Sequence, residues 1–222
     1  MGGWGSVRLI AELDTMIELL NCDCMEYMAT LPDKYFDLAI VDPPYGISIN
    51  MNMGRKKGEA KKHIEKKWDD LPPPNTYFNE LQRISKNQII WGGNYFALPL
   101  TKSWIFWDKE VPDGVSFADG ELAWTSFDKT LVKAKIQYSG ALGKDENRIH
   151  PTQKPVNLYK WLLANYAKKG QRVFDSHLGS ASSAIAAHYF GVDFVGCELD
   201  KDYFEAAKAR FDMATKQLAM SI

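Results

Sequence analysis

Three cysteines in 222 residues, Cys22, Cys24 and Cys197, are too few for a disulfide framework and suit a reducing compartment. The C-x-C at 22–24 lacks the further ligands of a zinc site, since Cys197 stands alone and the four histidines are scattered. No metal site is expected. No apolar run approaches the roughly 20 residues of a membrane helix, and no cationic leader with an apolar core opens the chain. The expectation is a cytoplasmic protein without membrane contact. Net charge is nearly absent too, at −1, so the total says nothing about partners. What is present is ordinary globular composition, 45% hydrophobic and 25% charged, at a length that favours one domain.

The distribution of charge is more informative than its sum. The segment GRKKGEAKKHIEKK, residues 54–67, gathers Arg55, Lys56, Lys57, Lys61, Lys62, Lys66 and Lys67. Such a run is either a solvated face or an arm that contacts phosphates. Elsewhere short apolar runs alternate with amphipathic stretches. Strands are predicted at 17–21, 36–41, 87–91, 103–107, 120–126, 171–175 and 192–197. Helices are predicted at 24–31, 76–85, 156–168, 181–190 and 201–217, the last with Tyr203, Phe204, Ala207 and Phe211 on one face. This alternation predicts an α/β fold with a mainly parallel sheet. Residues 1–15 show little pattern and read as a disordered leader or a cloning remnant. Residues 16–222 read as a single domain with long connections at 46–75 and 127–149.

Parallel sheets bind ligands beyond the carboxyl ends of their strands, where strand order reverses. Two acids stand at such ends, Asp42 after 36–41 and Asp175 at the end of 171–175. If those strands are neighbours, both acids face one crevice. Asp42 opens Asp42-Pro43-Pro44-Tyr45. The prolines fix φ and remove two donors, which leaves the Pro43 carbonyl a bare acceptor in a set direction. With the Asp42 carboxylate and the Tyr45 ring it makes a socket for a flat group bearing an amine. Two acceptors aimed at the amine hydrogens turn its lone pair toward an electrophile, by positioning and electrostatics. A base within a duplex reaches such a socket only when swung out of the stack.

A second constellation spans 172–204: strand, small-residue turn, helix, strand, acid. Gly179 and Ser180 open the helix, where free N–H groups favour an anion. Glu198 follows some 20 residues later, where an acid commonly holds a ribose diol. One fingerprint glycine is present and the others are missing, so a dinucleotide is disfavoured. A nucleoside joined to an amino acid, without phosphates, fits better, and S-adenosylmethionine is one. In His150-Pro151-Thr152-Gln153-Lys154-Pro155, Lys154 is a candidate partner for a ligand carboxylate.

In this order, D-P-P-Y, H-P-T-Q-K-P, D-S-H-L-G-S and G-C-E-L-D resemble the DNA amino-methyltransferases of the class whose catalytic motif precedes the cofactor motif. The likeness extends over about residues 16–215. It implies a Rossmann-like methyltransferase fold: a seven-stranded, mostly parallel sheet with one antiparallel strand, in circularly permuted motif order. It implies S-adenosylmethionine as cofactor and DNA as substrate. Asp42 and Pro43 would take the amine hydrogens, Pro44 would hold the turn and Tyr45 would stack on the base. Asp23 and Cys24 would lie against the cofactor adenine. Asp175, His177, Gly179 and Ser180 would border its methionine end, Thr152 and Lys154 its carboxylate, and Glu198 would hold the ribose. An acid at the first motif position goes mainly with adenine N6 in this family. The expected activity is therefore adenine-N6 methylation, as in bacterial or phage restriction-modification. Cytosine N4, RNA adenine and a non-catalytic regulator are the alternatives. The likeness strengthens Arg55, Lys56, Lys57, Lys61 and Lys62 as a DNA-binding arm. Target reading should be brief, or need a second subunit as in a homodimer. Ser176, His177 and Ala181 depart from the family's D-P-F-x-G-S-G-T; Ala181 is expected to take helical φ/ψ and stiffen the turn.

Overall fold

The computed structural model describes residues 5–10, 15–47, 70–112, 118–138, 149–150 and 152–216. Its frame is a nine-stranded sheet. In chain order the strands are β1 (Gly5–Ile10), β2 (Met16–Asn21), β3 (Phe36–Val41), β4 (Ser85–Trp91), β5 (Trp104–Asp108), β6 (Gly120–Thr125), β7 (Val132–Lys135), β8 (Arg172–Asp175) and β9 (Asp193–Glu198). The helices are α1 (Cys24–Ala29), α2 (Asn75–Ile84), α3 (Val156–Tyr166), α4 (Ser182–Phe190) and α5 (Lys201–Lys216). Strand order is β1-β2-β9-β8-β3-β4-β6-β5-β7.

The seven predicted strands are all present, six running parallel with β6 reversed between β4 and β5. Two further strands extend the sheet at its edges. β1 pairs antiparallel with β2 over Gly5↔Asn21 to Ile10↔Met16, which corrects the expectation of a disordered leader for that stretch. β7 pairs parallel with β5 inside what reads as the 127–149 loop.

Successive strand residues face opposite sides of the sheet, and the apolar runs here are covered on both. Ile17, Leu19, Leu38, Ile40, Ile89 and Trp91 pack with Leu158, Leu162, Ala184 and Phe211 of α3, α4 and α5. Leu20, Ala39, Val41, Ile90, Phe174 and Val195 pack on the other side with Met28, Tyr77, Phe78 and Leu81 of α1 and α2. Each fully buried Leu or Ile contributes about 1.5–3 kcal/mol of transfer free energy, and both faces of β3, β4, β8 and β9 are committed in this way. This explains why the strands read as continuous apolar runs rather than as alternation.

Two helices open on acids that satisfy their own first turns. Asp23 caps α1, its carboxylate accepting from Met25 N at 2.7 Å. Asp200 precedes α5, and its Oδ1 accepts from Asp202 N at 2.9 Å and Tyr203 N at 3.1 Å. Among the described residues, no helix is long and apolar enough to cross a membrane.

Candidate active site

β3 and β8 are hydrogen-bonded neighbours, with Leu38 opposite Val173 and Ala39 opposite Phe174. From β3 the chain moves on to β4, and from β8 it moves the other way to β9. Strand order therefore reverses between them, and their carboxyl ends open a crevice. A cavity of about 500 Å³ occupies it. Its walls come from the tips of β2, β3 and β9, from the turn that precedes α4, and from residues ahead of α3. Asp23, Cys24, Asp42, Pro44, Thr152, Lys154, His177, Gly179, Ser180 and Glu198, all expected in one site, border it together.

The charges at the tip of β3 are arranged as a ladder. Asp42 Oδ2 accepts from Lys154 Nζ at 2.6 Å, and Asp42 Oδ1 accepts from the Tyr45 hydroxyl at 2.7 Å. Lys154 also pairs with Glu121 at 3.0 Å, and Glu121 pairs with Lys109 at 2.6 Å. Burial alone would lower the Lys154 ammonium, but the Asp42 and Glu121 carboxylates outweigh it and hold the group at about 12. Burial would likewise raise Glu121, yet Lys154 and Lys109 bring it down to about 2. Glu121 thus has two cations and Asp42 shares one. Burial pushes the Asp42 carboxyl up, against the pull of Lys154, and the neighbouring Glu121 adds to the push.

Several residues sit differently from expectation. The Lys154 ammonium, expected beside a cofactor carboxylate, is paired with Asp42 and Glu121. The Tyr45 ring, expected to lie open for a base, stacks on Tyr95 at 5.1 Å and 14° and meets Phe96 edge-on at 6.1 Å. It also rests on Gly92, where an added Cβ would come within 2.2 Å of the ring. Pro43 is buried, and Pro44 is the proline that borders the cavity.

The turn before α4 also departs from expectation. Asp175 is 1% exposed and lies beneath the turn. Its carboxylate accepts from His177 N at 3.0 Å and from the Ser183 hydroxyl at 2.6 Å, which pins the turn from below. Burial pushes Asp175 up to about 7 and His177 down to about 4. The Gly179 amide, expected to meet a ligand anion, donates to Glu198 Oε2 at 2.9 Å, while Glu198 Oε1 accepts from Asp200 N at 3.0 Å. Ala181 takes φ +58°, the left-handed region that glycine occupies cheaply, and not helical φ/ψ. Arg210 of α5 closes the turn from outside, donating to the Ser180 carbonyl and to Ser182 Oγ at 2.9 Å.

Sequence reasoning missed Glu121 and Lys109, which complete the ladder, and Tyr159, His150 and Tyr203, which border the cavity. His150 and Tyr203 form an edge-to-face ring pair at 4.5 Å. The acid in ADGELAWTSF and the lysine in WIFWDKE were the available signals, since a charge at the end of a buried strand needs a partner. Arg55, Lys56, Lys57, Lys61 and Lys62 lie outside the described residues, as does most of 46–75.

The donor set tests what could occupy the cavity. Asp23, Asp42, Glu198 and Asp200 border it, and the one lysine among its lining residues is already paired. Such a surface repels a pyrophosphate. It suits a nucleoside whose tail is cationic and free of phosphate, at a volume ordinary for small-ligand sites. Among the described residues, no group of three or more metal-ligating side chains is found.

Fold and crevice together define a Rossmann-like α/β protein with a nucleoside-type pocket beside a carboxylate-and-tyrosine strand tip. A family model described as DNA methylase matches residues 88–209, more than half of the chain, and the chain belongs to that family. It is 24% identical over 246 residues to the Type II methyltransferase M.HinfI of Haemophilus influenzae, covering 89% of this chain and 68% of that protein. The crystal structure of an M1.HpyAVI-SAM complex superposes with a TM-score of 0.59 at 18% identity, covering 88% of this chain and 100% of that one. The PvuII DNA methyltransferase, cytosine-N4-specific, superposes with a TM-score of 0.55 at 11% identity, covering 91% and 92%. At these identities the two structures share the fold.

Proposed function

We propose that the chain transfers a methyl group from S-adenosylmethionine to the N6 amine of an adenine swung out of DNA. The observation that carries this reading is the placement of Asp42. Asp42 borders the same cavity as Asp23 and Glu198, and the strand it follows, β3, pairs in parallel with β8 as β8 does with β9, so an amine and a nucleoside-type donor can meet there. When bound, the cofactor supplies a methyl group on a sulfonium. Of the residues that border the cavity, Asp23, Cys24 and Glu198 would hold its nucleoside, and Thr152, His177, Gly179 and Ser180 its tail. Asp42 accepts an amine hydrogen and turns the nitrogen lone pair into the cavity. It is also the nearest carboxylate to take the proton that the alkylated nitrogen sheds. Tyr45 contributes a ring once Tyr95 yields its face. Phosphate contacts fall to the arm at 54–67, with Arg55, Lys56, Lys57, Lys61 and Lys62.

Adenine is preferred because the first residue of the motif is an acid. Cytosine N4 is the second reading, favoured by the likeness in fold to the cytosine-N4-specific PvuII enzyme. Labelled methyl transfer to oligonucleotides carrying adenine, cytosine or neither amine separates the two, and mapping methylated bases on a plasmid adds the sequence context. Label on cytosine-only duplexes would overturn the adenine assignment. Asp42→Ala should lower transfer by about a hundredfold or more, the scale of losing one group that acts on the transition state. S-adenosylmethionine affinity should stay within about threefold, because the acid faces the amine. Equal loss of both would contradict this division of labour.

A further inference from the structure

We infer that Lys154 is a positioning residue for Asp42, holding that carboxylate charged and fixed at the cavity wall, and that Glu121 and Lys109 in turn hold Lys154. The inference rests on the methyl-transfer reading for its effect on rate, and on geometry alone for its effect on Asp42.

An ammonium has three hydrogens to donate, and Lys154 has three acceptors. They are Asp42 Oδ2 at 2.6 Å, Glu121 Oε2 at 3.0 Å and the Tyr45 hydroxyl oxygen at 3.3 Å. No hydrogen is left for a ligand carboxylate. The side chain is 5% exposed, and its ammonium lies 5.3 Å from the Trp91 ring centroid and 5.7 Å from that of Tyr45. A flexible four-carbon stem is thereby confined to one course. The Tyr45 hydroxyl closes a ring of contacts, accepting from Lys154 and donating to Asp42 Oδ1. Both carboxylate oxygens are thus oriented, and each keeps a lone pair for an incoming amine hydrogen.

Among the described residues, the titratable groups that act on Asp42 come from several elements. They are Lys154 ahead of α3, Glu121 of β6, Tyr45 beyond β3, Tyr77 of α2, Tyr159 of α3 and Asp175 of β8. Of these, Lys154 is the one cation. The phenols stay neutral because burial pushes all three further up, and Glu121 and Asp175 can only oppose ionisation of Asp42. Lys109 stands one step back, paired to Glu121 beside the Trp107 and Tyr138 rings at 5.1 and 5.2 Å. It balances Glu121, which leaves Lys154 to serve Asp42.

The test follows the Asp42 carboxyl directly, by carbon-13 NMR against pH, with the resonance assigned through Asp42→Asn. Lys154→Met should raise the midpoint by a unit or more, a tenfold or greater gain in proton affinity. Lys154→Arg should bring it back to within about half a unit. S-adenosylmethionine affinity, measured by calorimetry, should change less than about threefold in both variants. A midpoint that stays put in Lys154→Met overturns the inference, and a tenfold loss of cofactor affinity beside it would restore the cofactor-carboxylate role. Glu121→Gln answers the same question if the methionine variant fails to fold: removing the competing anion should lower the Asp42 midpoint, and an unmoved midpoint overturns the network. The acid limb of the methyl-transfer rate should follow the NMR midpoint. Absence of any transfer by the parent chain would instead overturn the functional reading, with the ionisation result still decided by NMR.

Discussion

Asp175 and His177 are two residues apart and titrate abnormally in opposite senses. Asp175 is raised from 3.8 to about 7 by burial, so between those values the folded chain holds one more proton than the unfolded chain, and stability falls as pH rises. His177 is lowered from 6.5 to about 4, also by burial, so between those values the unfolded chain holds the extra proton, and stability rises with pH. Over the shared window the two slopes oppose and largely cancel. Asp175→Asn keeps an acceptor for the His177 amide and removes the acid. Its stability should climb through about pH 4 to 6.5, by up to about 1.4 kcal/mol per unit, where the parent is flatter. Urea midpoints at pH 4.5, 5.5 and 6.5 check this, and parallel curves for parent and variant would refute it. At this scale the sequence revealed Asp42, because acid and diproline sit together in one rigid tetrapeptide. It did not reveal where the Lys154 ammonium goes, since its partner Asp42 is 112 residues away. Ala181 escaped for a different reason: nothing in an alanine announces a left-handed φ.

Elements were legible where two apolar faces demanded them. FDLAIV, NQIIW and VDFVGC are buried on both sides of the sheet, and each was found within about two residues of its bounds. β7 was not, because VKAK alternates lysine with small residues and has one fully buried side chain, Ala134. Only its pairing with β5 makes it a strand. α5 shows how an element start reaches the site. Asp200 caps its first turn and borders the cavity, and Tyr203 within that turn meets His150 across it. Asp200→Ala should cost about 1 kcal/mol, seen as a lower denaturant midpoint at unchanged slope. An unaltered midpoint would mean the cap contributes nothing net.

Across the whole molecule, charge is unevenly shared. Residues 54–67 carry seven cations and two acids, so in a chain of net charge −1 the remainder is acidic. For the DNA-binding role proposed above, that segment is the densest source of positive charge in the chain. Truncating Lys56, Lys57, Lys61 and Lys62 together should weaken DNA binding and reduce the slope of log K against log salt by up to about four. Fluorescence anisotropy on a labelled duplex over a salt series measures it; an unchanged slope would return the segment to a solvated face.

The pairing of β3 with β8 also governs how the molecule is made. Asp37 at the base of β3 accepts from the backbone of Arg172, 135 residues further along. During synthesis the strand that leads into Asp42 must therefore wait, one long edge unpartnered, until β8 emerges from the ribosome. β2 waits longer still, for β9. Nascent chains stopped before residue 172 would hold the acid and no pocket floor, so ligand capture should begin only once β8 and β9 have been added.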